Sequence, residues 1–143
     1  MAIVLSAEHK AAIEKHGEET FPNECCGFIL GKLNGADRNV VELMRVANDR
    51  EAEEQYHRFE IKPEDSFRAE RAARKKGLDL IGCYHSHPNA PARPSQYDVD
   101  HAAWSGYSHI IVSIRDKKAV AMTSWLLKED RSAFDQEDIR FEG

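Results

Sequence analysis

The chain has 143 residues, of which 41% are hydrophobic and 31% are charged, and its formal net charge is -5 at pH 7. This length suits one ordinary domain with one hydrophobic core. The acidic balance argues against nucleic acid or an anionic membrane as the main partner. No apolar run approaches the roughly 20 residues that a membrane-spanning helix needs.

The apolar pattern predicts a single mixed α+β domain over residues 1–143, with the charged stretch Asn48–Tyr56 as a surface loop. Asn34-Gly35 predicts a hairpin turn, and Ile139–Phe141 is expected at a sheet edge. In chain order, the predicted elements are a strand over Ala2–Leu5, a helix over Ala7–Glu19, strands over Cys26–Leu33, Asn39–Val46 and Phe59–Ile61, a helix from Pro63 to just before Gly77, a strand over Leu78–Tyr84, a helix over Gln96–Trp104, and strands over His109–Ile114, Ala119–Leu127 and Ile139–Phe141.

The cysteines indicate a reducing compartment. Cys25, Cys26 and Cys83 form an odd set without disulfide-type spacing, and the adjacent Cys25 and Cys26 cannot bridge each other without strain. The first residues lack the basic region and the long apolar region of a signal peptide. We therefore expect a cytoplasmic protein.

His85 and His87 carry the most specific chemistry in the chain. If Leu80–His87 is a strand, residues two apart point to the same face, so both imidazoles converge on one point. The alternative is that His-Ser-His is only a polar strand end. Because functional sites are commonly built where strands run out into loops, we interpret the pair as two metal ligands.

A third ligand is expected after the pair, since a catalytic zinc site uses three protein ligands and keeps a fourth position open for water. Asp98 follows His87 by 11 positions and can supply this ligand from the start of a helix. Asp98 also fits a helix capping box with Ser95, in which both residues satisfy free backbone amides. By spacing alone Asp100 and His101 are further candidates, so the residue pattern leaves the third ligand open.

Zinc hydrolysis also needs a base that takes a proton from water and passes it to the leaving amine. Glu18, Glu19 and Glu24 are candidates that lie far from the histidines in sequence. Glu24 is the best placed of the three, because it stands at the mouth of the Cys26–Leu33 strand. From the residues alone, however, an ordinary surface glutamate is the favoured interpretation.

Taken together, these residues resemble the signature of the JAMM (MPN-plus) metallopeptidase family. That pattern is a distant glutamate plus H-x-H-x(7)-S-x-x-D. Here Glu24, His85-Ser86-His87, seven intervening residues and then Ser95-x-x-Asp98 match every element at the expected spacing. The segment Asn23–Gly31 also resembles the first-strand region of the small bacterial members.

The resemblance implies a fold and a role for each residue. The fold would be JAMM/MPN-like, a cytidine-deaminase-like α+β domain whose mixed β-sheet is flanked by helices. His85, His87 and Asp98 would bind one zinc ion, and Glu24 would be the general acid and base. Ser95 would donate a hydrogen bond to the oxyanion of the tetrahedral intermediate while its backbone region still caps the helix.

The resemblance also implies a substrate class. JAMM enzymes that act on proteins cut peptide or isopeptide bonds after the flexible C-terminal tail of ubiquitin or a ubiquitin-like protein. The small bacterial members are associated with sulfur-carrier proteins of the ubiquitin fold. We therefore expect a zinc peptidase that hydrolyses the bond after such a tail.

Two alternatives come from other functional classes. Many proteins of this fold have lost the ligands and serve as assembly scaffolds, but a scaffold does not need the complete residue set. A thiol hydrolase would use Cys25, Cys26 or Cys83 with a histidine, and Cys83 lies on the same predicted strand face as His85. A cysteine in such an apolar run is more often a small buried hydrophobe.

Overall fold

The computed structural model describes residues 2–101 and 106–142. Within these ranges the elements are the strands β1 (Ala2–Ser6), β2 (Cys26–Asn34), β3 (Asp37–Val46), β4 (Asp79–Pro88), β5 (Ser108–Arg115), β6 (Lys118–Leu127) and β7 (Phe134–Glu142), and the helices α1 (Ala7–Thr20), α2 (Pro63–Lys75) and α3 (Gln96–His101), with one 3-10 turn at Ala52–Glu54.

The described strands form one mixed sheet in the order β1-β3-β2-β4-β5-β6-β7, and β7 pairs with β1 to close it. The strand that carries the histidines, β4, lies between an antiparallel β2 and a parallel β5. Helix α2 packs on β2 and β4, while α1 packs mainly on β5 and β6. The predicted fold class, a mixed sheet flanked by helices, is confirmed.

Alternating side chains on the sheet build two apolar clusters. Ile29 and Tyr84 belong to the cluster that also contains Ile13 of α1. Phe28 and Cys83 belong to the cluster that contains Ala69 of α2. Because successive residues of a strand point to opposite faces, β2 and β4 contribute to both clusters and are buried on both sides.

The helix limits follow the signals in the sequence. The Ser6 side chain caps α1 by accepting a hydrogen bond of 3.1 Å from the backbone N–H of His9, and α1 ends at Thr20, two residues before Pro22. Pro63 begins α2, where its missing N–H costs no hydrogen bond. Gly77 follows that helix with a φ of 69°, a conformation that glycine adopts without strain.

Two predicted elements differ from the structure. The strand predicted over Phe59–Ile61 is wrong, because the backbone there joins no strand of the described residues and Glu60 bonds to Asn48 and Asp49 instead. The strand predicted over Ile139–Phe141 is confirmed, but its predicted place at a sheet edge is wrong, since it belongs to the longer β7, which pairs with both β1 and β6. The end of the third predicted helix, residues 102–104, lies outside the described residues.

None of the helices in the described ranges has the length and apolar character needed to cross a membrane.

Candidate metal centre

The two histidines lie at the end of β4. The two residues are 4% and 6% exposed, and the Nε2 atoms of His85 and His87 are 3.0 Å apart. Ser86, between them, points to the other face, where its Oγ accepts a hydrogen bond of 2.8 Å from the backbone N–H of Cys25. The alternation of an extended strand therefore brings both imidazoles to one point.

Asp98 reaches the same point from the first turn of α3. Its Oδ2 lies 3.1 Å from Nε2 of His87 and 3.5 Å from Nε2 of His85. The same oxygen accepts a hydrogen bond of 2.9 Å from the backbone N–H of Ser95, and Ser95 Oγ accepts one of 3.1 Å from the N–H of Asp98. The capping box and the contact with the imidazoles therefore exist together, and the cap holds the Asp98 carboxylate in place.

The two other candidates for a third ligand have different partners. Asp100 Oδ1 accepts a hydrogen bond of 2.8 Å from Nε2 of Gln96. His101 bonds through Nδ1 to the backbone oxygen of Tyr97, and its ring stacks on the Tyr97 ring with 3.8 Å between centroids. Both residues are exposed on α3, whereas Asp98 faces the imidazoles.

Glu24 lies beside the histidines because of the register between β2 and β4. Cys26 is paired with His85 in an antiparallel ladder, so continuing that ladder by two residues places Glu24 opposite His87. Glu24 is 4% exposed. One ligand-type atom from each of Glu24, His85 and His87 lies within 4.8 Å of the others.

The other two glutamate candidates are occupied elsewhere. Glu18 Oε2 accepts a hydrogen bond of 2.8 Å from the backbone N–H of Ala119. Glu19 Oε2 accepts one of 2.8 Å from Arg45 on the surface. Of the three carboxylates, Glu24 is the one next to the imidazoles.

Burial and neighbouring groups shift the pKa values of Asp98, His85 and His87 in different directions. Burial opposes ionisation of Asp98, but the imidazoles of His85 and His87 outweigh it and hold the pKa of that carboxyl below its usual range. Burial lowers the pKa of His85. For His87, burial is outweighed by the bonds to Asp98 and to the backbone oxygen of Pro91, and its pKa is raised. The centre therefore contains a carboxylate that is ionised at neutral pH.

The pKa of Glu24 is raised, whereas that of the Asp98 carboxyl is lowered. Burial raises the pKa of Glu24 to about 8, with Asp98 adding to the increase and His87 opposing it. Its Oε1 is buried and has no hydrogen-bond partner among the described residues. A carboxyl group with a pKa near neutrality can both accept and release a proton at working pH.

The geometry of the three convergent atoms fits a zinc ion. The two Nε2 atoms and Asp98 Oδ2 form a triangle with edges of 3.0, 3.1 and 3.5 Å. Ligands at zinc distances in a tetrahedral site are about 3.3 Å apart. His87 Nδ1 bonds to the Pro91 oxygen at 2.9 Å, which leaves its Nε2 as the coordinating atom. The residues present therefore suit zinc: His85 and His87 can share an ion with Asp98, and Glu24 also lies close enough to both imidazoles to contribute an oxygen.

Two cavities open on this cluster and share Pro94 and Tyr97 in their walls. One, of about 370 Å³, has Glu24, His87 and Ser95 in its lining. The other, of about 260 Å³, has His85 and Asp98 in its lining. A substrate therefore has access to the cluster from two sides.

The thiol groups are unsuited to nucleophilic attack. All three cysteines are free and buried. Burial raises the pKa of Cys25 to about 11 and that of Cys83 to about 12. Because the thiolate is the nucleophile, these raised pKa values leave little of it near neutral pH, which argues against the cysteine-dependent alternative even though Cys83 Sγ lies 3.3 Å from Nδ1 of His109.

Two residues before α2 make contacts at the candidate centre that sequence reasoning did not assign. The ring of Phe59 stacks on His85 with 4.5 Å between centroids. The guanidinium of Arg58 lies 4.3 Å from the centroid of Tyr97, the neighbour of Asp98. The sequence predicts Asn48–Tyr56 as a surface loop and Phe59–Ile61 as a strand, and neither pattern carries a signal for these long-range contacts.

Comparison with known proteins gives the same picture. Residues 6–128 match the family described as prokaryotic homologs of the JAB domain. A protein named Desampylase from Haloferax volcanii is 33% identical over 113 residues, which cover 76% of this chain and 78% of the relative. A protein named probable TtuB-protein conjugate cleaving protease, from Thermus thermophilus, is 46% identical over 37 residues, which cover 26% of this chain and 25% of the relative.

Solved structures agree with the family match. A protein from Desulfitobacterium hafniense, 31% identical, superposes with a TM-score of 0.85 over 98% of this chain and 92% of that protein. A JAB1/MPN domain protein from Archaeoglobus fulgidus, 18% identical, shares the fold with a TM-score of 0.59 over 100% of this chain and 97% of that one. The chain therefore belongs to the prokaryotic JAB-domain (JAMM) family and is, as predicted, a hydrolase of that family.

Proposed function

We propose that this chain is a zinc-dependent peptidase or isopeptidase that hydrolyses the bond after the C-terminal tail of a ubiquitin-like protein. The observation that carries the proposal is the convergence of His85, His87 and Asp98 on one point with the buried Glu24 beside them. Bound there, zinc would act as a Lewis acid and lower the pKa of a water molecule at its open position.

Glu24 would move the protons. Its pKa of about 8 lets it take a proton from the attacking water and return it to the leaving amine. It lines the same cavity as Ser95, so the amine would leave on that side. General acid–base catalysis of this kind contributes about 10²- to 10⁴-fold to the rate.

Ser95 would stabilise the developing oxyanion. Its Oγ accepts a hydrogen bond from the N–H of Asp98, which leaves its own O–H proton free to donate. The side chain is exposed at the cavity, so a substrate oxygen can reach it. The loss of one oxyanion donor typically costs about 10²- to 10³-fold in turnover.

The substrate class rests on the family and on the names of the relatives. One is named for cleaving TtuB-protein conjugates and another is named Desampylase. By the same family likeness, we infer that the ubiquitin-like substrate is a sulfur-carrier protein that is extended or conjugated at its C-terminal tail. We place the reaction in the cytoplasm, which the three free thiols support.

The test is to incubate the zinc-loaded protein with sulfur carriers that bear either a C-terminal extension or a lysine conjugate, and to read product masses. Glu24→Gln is expected to lose at least about 10²-fold in turnover, and Ser95→Ala about 10²-fold. Glu18→Gln is the matched control and should keep wild-type turnover, because Glu18 binds the N–H of Ala119 away from the site.

Three outcomes would contradict the proposal. Equal turnover by the wild type and Glu24→Gln would contradict the proton-transfer role assigned to Glu24. Absence of cleavage of every carrier would favour the scaffold alternative. Activity that survives a chelator but is lost with a thiol alkylator would favour the cysteine alternative.

A further inference from the structure

Both polar groups of the Glu24 backbone are held by one segment, the loop over residues 48–60. The N–H of Glu24 donates a hydrogen bond of 2.7 Å to the backbone oxygen of Gln55. The Glu24 oxygen accepts one of 3.1 Å from Nδ2 of Asn48. Glu24 lies outside the β2 ladder, which begins at Cys26, so these bonds replace the ladder partners that a strand residue would have.

Asn48 uses its full hydrogen-bonding capacity to make this junction. Nδ2 also donates to the Arg58 oxygen at 2.9 Å, and Oδ1 accepts from the N–H groups of Arg50 and Glu60 at 3.0 and 3.1 Å. Two carbonyls on one side and two N–H groups on the other fix which end of the amide is nitrogen. No other side chain fits this pattern with the same shape.

The far end of loop 48–60 touches the candidate ligands. Phe59 stacks on the ring of His85, and the Arg58 guanidinium covers Tyr97 on the helix that carries Asp98. The Arg58 backbone oxygen is one of the groups that Asn48 holds. Asn48 therefore lies between the backbone of Glu24 and the side chains that pack on the ligand set.

We propose that Asn48 is a positioning residue, whose side-chain amide fixes the distance between Glu24 and the ligand set by bonding Glu24 to loop 48–60. The proposal rests on the proton-transfer role proposed for Glu24. It gives Asn48 no contact with substrate or metal. A displacement of about 1 Å at a reacting group can cost about 10²-fold in rate, so the loss of this junction should act on turnover.

Asn48→Asp is the sharpest perturbation. It keeps the shape and the oxygen that accepts from Arg50 and Glu60, but it replaces the donor to the Glu24 and Arg58 carbonyls with a second acceptor. Asn34→Asp is the matched control. It makes the same amide-to-carboxylate change at an exposed position of the β2–β3 hairpin, away from Glu24 and loop 48–60.

Four quantities are measured for each variant: kcat and KM on an extended carrier, the zinc dissociation constant, and the exchange rate of the Glu24 amide proton by NMR. We expect Asn48→Asp to lower kcat about 10- to 100-fold while KM and the zinc dissociation constant change less than about 3-fold. The Glu24 amide should exchange at least about 10-fold faster, because its bond to the Gln55 oxygen opens with the loop. Asn34→Asp should keep kcat within about 3-fold of wild type.

Several results would overturn the assignment of Asn48. These are wild-type kcat in Asn48→Asp, an equal loss of kcat in Asn34→Asp, or a loss that comes with weakened zinc binding. If Asn48→Asp does not fold, Asn48→Ser carries the same expectations. If the wild-type protein cleaves no carrier, the proposed function fails, and an unchanged Glu24 exchange rate in Asn48→Asp would separately overturn the junction.

Discussion

Replacing Asp98 by asparagine should strongly weaken zinc binding while leaving the fold intact. Asp98 Oδ2 is one of three atoms at the candidate centre and contacts both imidazoles. Asparagine keeps the shape and an oxygen that can accept the N–H of Ser95, so the helix cap survives. It removes the negative charge that a dication needs. Asp100→Asn is the matched control, because Asp100 bonds to Gln96 on the exposed side of the same helix, away from the imidazoles.

The size of the effect follows from linkage. A ligand at 100 times its dissociation constant stabilises the folded state by about 2.7 kcal/mol. Loss of an outer partner of a ligand already costs about 10- to 100-fold in metal affinity, so loss of Asp98 itself should cost at least about 100-fold. At the same zinc concentration, zinc binding would stabilise the folded variant by only about 0.4 kcal/mol. The difference of about 2.3 kcal/mol corresponds to roughly 8 °C in Tm for a domain of this size.

The assay is thermal unfolding by calorimetry with zinc and with a chelator, at a zinc concentration set to 100 times the wild-type dissociation constant. Wild type and Asp100→Asn should show the full zinc-dependent shift in Tm, and Asp98→Asn should show almost none. A full shift in Asp98→Asn would refute Asp98 as a ligand. The loss of the shift in Asp100→Asn would refute the choice between the two carboxylates.

Two further predictions concern the face of β4 opposite the candidate centre. In Gly27→Ala the added methyl group would lie inside contact distance of the buried Tyr84 ring, so urea unfolding should show a loss of about 1–3 kcal/mol; a change below about 0.5 kcal/mol would contradict this packing. Burial lowers the pKa of His16, which lies 2.8 Å from the Tyr84 hydroxyl, from 6.5 to about 4. The unfolded chain therefore binds this proton first, and stability present above pH 6.5 should fall by up to about 3 kcal/mol as the pH drops towards 4. His16→Gln should remove that part of the pH dependence, and an unchanged pH profile would show that His16 does not cause it.

The parts of the site that sequence predicts are those set by local geometry. His85 and His87 share a face because they are two apart on a strand, and Asp98 lies near Ser95 because both belong to the first turn of one helix. These relations need no knowledge of the rest of the fold. The choice of Asp98 over Asp100 needed the family signature, since both lie on the same short helix.

The predictions that failed concern backbone partners that are distant in sequence. Phe59–Ile61 has the aromatic and β-branched residues of a strand. Its backbone, however, bonds through Glu60 to Asn48 and Asp49 of the same loop and not to a sheet edge. The first half of β7 is polar, which hid it from pattern analysis. There Glu137 is buried and accepts hydrogen bonds of 2.7 and 2.8 Å from the hydroxyls of Ser108 and Ser124. Such tertiary bonding overrides strand propensity.

The two halves of the candidate centre depend on the fold in different ways. The proposed ligands lie within 14 consecutive residues, from His85 to Asp98, on one strand end and one helix turn. Glu24 reaches them only through the register of β2 with β4 and through the bonds of loop 48–60. Changes far from the ligands should therefore reduce turnover before they reduce zinc affinity, because they move Glu24 relative to a ligand set that stays intact. A survey of loop variants that found zinc affinity and turnover falling together would contradict this division.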